Sequence, residues 1–109
     1  MSSYAYESTS VRNVDNMENK EYLFKIFLSG RTPGNWWLFE NIKNILDDKV
    51  KNRYVLKIIY IDEDPDAVEC ENIICTPTII RHLPLPQKRF IGYLNDKDIV
   101  RVVLSFFNS

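Results

Sequence analysis

Apolar residues first gather in a nearly unbroken run, Tyr22-Leu23-Phe24-Lys25-Ile26-Phe27-Leu28, closed by Ser29-Gly30. A short run that hardly alternates suits a strand covered on both faces. From residue 33 to about 48 the spacing becomes helical, with Trp36, Phe39, Ile42 and Leu46 on one stripe and Ile45 beside it. Thr32-Pro33 places a capping hydroxyl ahead of a proline in the first turn. Residues 53–61 return to β-branched and aromatic side chains and predict a second strand. Strand, helix and strand in this order predict a βαβ unit, with parallel strands and a right-handed crossover.

The rest of the chain is punctuated more often. Asp64-Pro65 opens a short helix over 65 to about 71, with the aspartate as cap. Residues 78–83 and 88–93 read as strands, and the brief link Pro84-Leu85-Pro86-Gln87 predicts an antiparallel hairpin. Asn95 can cap a last helix over 96–107, whose buried stripe is Ile99, Val102, Val103 and Phe106. The expected fold is α/β, a single domain of order β-α-β-α-β-β-α. Residues 1–20 are rich in Ser, Asn and Glu and lack an apolar period, which predicts a mobile N-terminal tail ahead of a domain over 21–109.

Composition narrows the function classes. The 109 residues carry 14 Lys and Arg against 15 Asp and Glu, a formal charge of -1, so no global field attracts nucleic acid or an anionic membrane. The start of the chain has no apolar leader core. No stretch approaches the roughly 18–20 apolar residues that a membrane span requires. The two cysteines, Cys70 and Cys75, form no C-x-x-C pair and read as reduced thiols of a cytoplasmic protein.

Candidate chemistry is sparse. The loop Ser29-Gly30-Arg31-Thr32-Pro33-Gly34 has neither dinucleotide-binding nor Walker spacing. The single histidine, His82, lies on a predicted strand among apolar neighbours and is expected to be structural rather than a catalytic base. With Cys70 and Cys75 it would make an awkward and incomplete zinc set. The acidic residues 62–64 lack the pattern of a calcium loop and fit a turn that caps the next helix. The expectation is no catalytic residue, no metal and no cofactor.

Thr76-Pro77-Thr78 ahead of the third predicted strand makes the element order resemble the thioredoxin-like class. That resemblance implies a cis peptide before Pro77. Where a redox thioredoxin carries C-x-x-C, this chain reads Arg31-Thr32-Pro33-Gly34-Asn35, with no nucleophile. A thiol-disulfide oxidoreductase working through Cys75 is the alternative of a different class.

A closer resemblance is to the KaiB family. It rests on residues 22–30, Thr32-Pro33, Asn44-Ile45-Leu46, Leu56-Lys57-Ile58-Ile59, Pro65, Ile74-Cys75-Thr76-Pro77-Thr78-Ile79, Leu83-Pro84-Leu85-Pro86 and Arg89-Phe90-Ile91-Gly92. The resemblance implies a non-enzymatic regulatory module that binds a KaiC-like ATPase in circadian timing and also pairs with itself as a dimer or tetramer. A KaiB homologue outside a true oscillator, in stress adaptation or signalling, is the alternative within the family. The family also implies two forms of the C-terminal half, one thioredoxin-like and one a rearranged ground state. Val103 and Ser105 stand where cyanobacterial KaiB typically has glycine and aspartate. A helical glycine costs about 0.5–1 kcal/mol, so its absence favours the thioredoxin-like form.

The resemblance further implies partner-binding roles. Lys57 matches a family lysine near the KaiC-facing surface, with an ordinary strand-edge charge as the alternative. By their position, Arg81, Lys88 and Arg89 flank the turn at 84–86 and could meet an acidic partner; an ordinary solvated basic patch is the alternative, more for Lys88 than for the family-matched Arg89. Trp37 lies about 100° around the helix from Trp36 and is the candidate exposed anchor, with packing under the N-terminal tail as the alternative, while Trp36, Phe39 and Phe90 are assigned to the core.

Overall fold

A computed structural model describes residues 4–7 and 20–108. Five strands and three helices follow one another: β1 (Tyr4–Glu7), β2 (Tyr22–Leu28), α1 (Pro33–Val50), β3 (Tyr54–Tyr60), α2 (Pro65–Cys70), β4 (Thr78–Leu83), β5 (Lys88–Ile91) and α3 (Ile99–Ser105). They form one sheet of order β1-β3-β2-β4-β5. β3 runs parallel to both β1 and β2, whereas β4 is antiparallel to β2 and to β5.

β1 is the departure from the sequence reading. The composition of residues 1–20 predicts a mobile tail, whereas Tyr4–Glu7 within it pairs with Val55 to Ile58 of β3. The rest of that expected tail, residues 1–3 and 8–19, lies outside the described residues.

Helix starts form where the side chains supply acceptors. Thr32 Oγ1 accepts the Asn35 amide at 3.1 Å and Pro33 opens α1. Asp64 Oδ1 accepts the Ala67 amide at 3.1 Å and Pro65 opens α2. Asn95 Oδ1 accepts the amides of Lys97 and Asp98 at 3.0 and 2.9 Å, but the turn over 96–98 is not yet helical. α3 is therefore shorter than expected; Ile99, Val102 and Val103 within it and Phe106 just past its end are all buried.

The two sheet faces carry unequal cores because side chains alternate along each strand. Phe24, Ile26 and Leu28 of β2 join Tyr54, Leu56, Ile58 and Tyr60 of β3 against α1 and α3. Phe27, Ile59 and Ile80 face the other way, under Ala67 and Val68 of α2 and under Ile73. Lys25 and Lys57 share this second face, being register partners on β2 and β3.

Candidate functional site

Four loops meet at the end of the sheet where α1 begins. Arg31 lies 3.9 Å over the Tyr60 ring and pairs with Glu63 at 2.5 and 3.3 Å. Asn35 Nδ2 donates to the Gly30 carbonyl at 2.7 Å. Tyr93 Oη donates to the Gly34 carbonyl at 3.2 Å, and a Cβ on Gly34 would stand 3.3 Å from that oxygen. Gly92, at φ +131°, donates its amide to the Pro77 carbonyl at 2.9 Å. The Thr76–Pro77 peptide is cis, as are Leu83–Pro84 and Leu85–Pro86.

Around these joined loops sit apolar side chains turned to solvent: Trp36, Ile74, Ile91 and Tyr93. Trp36 is 55% and Ile74 86% exposed. An open hollow of about 330 Å³ is lined by Arg31, Thr32, Pro33, Trp36 and Tyr60. Both cysteines are free and exposed, Cys70 ending α2 and Cys75 preceding the cis peptide. Neither stands at the start of α1, so this end of the fold offers shape and apolar contact rather than a dithiol.

Trp36, expected in the core, is the more exposed of the two tryptophans. Leu38, absent from the expected stripe, is fully buried and turns the covered face of α1 away from Trp36. Trp36 instead leans on Phe39, ring centres 5.2 Å apart, while Trp37 is half-buried against the main core. Phe90 is half-buried there too. Ile74, Ile91 and Tyr93 were missed altogether. Their signal was weak: each is an apolar residue beside a turn.

The basic residues do not form one patch. Arg81 and Lys88 are register partners, and Arg89 pairs with Ile80, so Arg89 faces the opposite side of the sheet. Arg81 is turned inward, only 5% exposed, and donates to the carbonyls of Phe106 and Pro86. Lys88 Nζ donates to the Asn108 carbonyl. Lys57 is not at a strand edge, because β1 covers that side of β3; it is 6% exposed. Only Lys88 and Arg89 keep substantial access to solvent.

Burial and the neighbouring Lys25 both lower the Lys57 pKa. Burial also lowers that of His82, with Lys25, Arg89 and Lys57 adding to the effect and Glu71 opposing it. Folded His82 thus holds its proton less firmly than in the unfolded chain, where the value is near 6.5. The stability this contributes is present above pH 6.5 and is lost as pH falls from there toward the folded value. Denaturation midpoints between pH 7 and 5 are expected to drop more steeply for the native chain than for His82→Gln. Parallel slopes would assign the acid sensitivity to other groups.

A family model for the KaiB domain matches residues 25–106. The chain belongs to the KaiB family. It is 36% identical over 85 residues to the circadian clock oscillator protein KaiB of Rippkaea orientalis, covering 78% of this chain and 82% of that one. The KaiB protein of Synechococcus elongatus gives the same identity and share of this chain, with 83% of its own length covered. Among solved structures, the N-terminal domain of Synechococcus elongatus SasA matches at a TM-score of 0.66 and 20% identity, over 81% of this chain and 80% of that one. A chloroplastic thioredoxin z matches at 0.67 and 18% identity over 100% and 97%.

At these identities the structural likeness shows the fold, which is thioredoxin-like. It lends no support to the oxidoreductase alternative, since KaiB relatives are clock proteins and the start of α1 lacks cysteine. This KaiB-family chain has the helical, thioredoxin-like C-terminal half rather than a rearranged one. β1 lies outside the span matched by the family model. No helix among the described residues is long and apolar enough to cross a membrane.

Proposed function

We propose that this chain is a non-catalytic protein-binding module of the KaiB type that acts with a KaiC-like ATPase in circadian timing. The observation that carries this reading is the family match over residues 25–106, on a scaffold whose helix start carries Arg31-Thr32-Pro33-Gly34-Asn35 in place of a dithiol. Interaction is then the remaining use for the apolar rim of Trp36, Ile74, Ile91 and Tyr93. Exposed aromatic anchors of this kind carry a disproportionate share of binding energy. Arg89, at the family-matched position on β5, stands beside the rim and can meet an acidic group of the partner.

The test is co-migration of the purified chain with a KaiC homologue from the same organism. Trp36→Ala should weaken the complex by about tenfold, the loss of one aromatic anchor, while leaving the circular dichroism spectrum intact. Unchanged affinity would move the interface elsewhere. A role for the same module outside a true oscillator, in stress adaptation or signalling, is separated by whether deletion of its gene alters rhythm or only stress survival.

A further inference from the structure

The sheet face that bears α2 also carries a band of hydrogen-bond donors short of acceptors. Register places Lys25 of β2 beside Lys57 of β3, and continues the row through Ile80 of β4 to Arg89 of β5. His82, two residues beyond Ile80, returns to the same face. Among the described residues, one carboxylate serves this group. Glu71 Oε2 lies 3.4 Å from Lys25 Nζ and 3.5 Å from His82 Nε2, both long contacts.

Two donors are left over. The Lys57 ammonium, on a residue more than nine-tenths buried, has no hydrogen bond or ion pair among the described residues. The Gln87 amide nitrogen is 3.3 Å from His82 Nδ1 and, as a donor, makes that atom the acceptor. The proton of the neutral ring then sits on Nε2, which is buried and has no hydrogen-bond partner among the described residues. A buried ammonium is costly unless an opposite charge and acceptors accompany it.

We propose that Lys25, Lys57 and His82, with Arg89 and Glu71 at the rim, form a binding site for one compact oxyanion of the phosphate type. The donors come from three adjacent strands spaced about 4.8 Å apart, a breadth that one tetrahedral oxyanion spans with several acceptors at once. A water molecule offers two acceptor lone pairs and no charge, so it cannot balance the Lys57 ammonium. Glu71 is the group such an anion would displace, since both of its contacts are long. The lowered Lys57 pKa is in keeping with an amine that has cationic neighbours and no counter-charge at contact.

The test is a titration of the full chain with inorganic phosphate at fixed ionic strength, chloride replacing phosphate in the control. The readouts are the His82 imidazole and the lysine ε-methylene resonances. Phosphate should shift the His82 and Lys57 signals along one saturating curve, and chloride should not. Lys57→Met should weaken binding roughly tenfold or more, while Lys88→Met, on the opposite sheet face, should leave it unchanged. Equal, unsaturating shifts with both salts would overturn the proposal, as would unaltered affinity in Lys57→Met. Should that variant not fold, Lys25→Gln decides in its place by the same criterion.

Discussion

Phe24→Ala is expected to cost about 4 kcal/mol of folding stability. Phe24 is 1% exposed and sits at the centre of an aromatic group that ties β2 to the end of α3. Its ring centre is 6.2 Å from that of Tyr22 and 5.9 Å from those of Phe106 and Phe107. Truncation therefore removes a buried ring and also the seat on which the last turn of α3 rests. Against a total stability of roughly 5–15 kcal/mol, such a change moves the denaturation midpoint by a large fraction. Urea denaturation followed by far-ultraviolet circular dichroism measures it. A loss below about 2 kcal/mol would mean that α3 closes over the gap, and that the aromatic group matters less than its geometry suggests.

Arg81→Met follows, at about 2–3 kcal/mol. The Arg81 guanidinium is buried with no carboxylate beside it among the described residues; it is held by two backbone carbonyls, Phe106 at the end of α3 and Pro86 in the turn before β5. Hydrogen bonds from a charged donor contribute roughly 1.5–3 kcal/mol each. Methionine fills similar volume and lifts the cost of burying a cation, which returns part of that sum. It leaves the Phe106 carbonyl, one of the last acceptors of a helix, without its donor. Amide hydrogen exchange should accordingly speed up across Ile99–Ser105 far more than across β2. A neutral Arg81→Met, with exchange unchanged in α3, would show that the clamp is dispensable.

Arg81 also illustrates what a sequence can and cannot disclose. Its place on a strand was legible, and so was its nearness to the turn at 84–86. Its direction was not, because whether an arginine points to solvent or to the carbonyls of a helix twenty-five residues later depends on tertiary packing. The same limit applies to Lys57. Alternation puts it on one face with Val55 and Ile59, but only the pairing with Tyr4–Glu7 makes β3 an interior strand. Four residues, Tyr-Ala-Tyr-Glu, among polar neighbours give little periodicity of their own. Such a strand exists through its register with a partner fifty residues away.

Local chemistry was read more successfully. β2 has the bounds its apolar run predicts, and Thr32-Pro33 and Asp64-Pro65 open helices because the capping oxygens lie where the amides need them. The tryptophan pair fell between these cases. A helical period fixes relative angles, not the centre of the buried face, and Leu38 moved that centre.

The four-residue strand β1 has a final bearing on assembly. Backbone amides and carbonyls from Val55 to Ile58 are already engaged on both flanks of β3. Another polypeptide cannot zip onto that border without first peeling β1 away. Among the described strands, growth of the sheet by a second molecule is confined to its two outermost ribbons, β1 and β5.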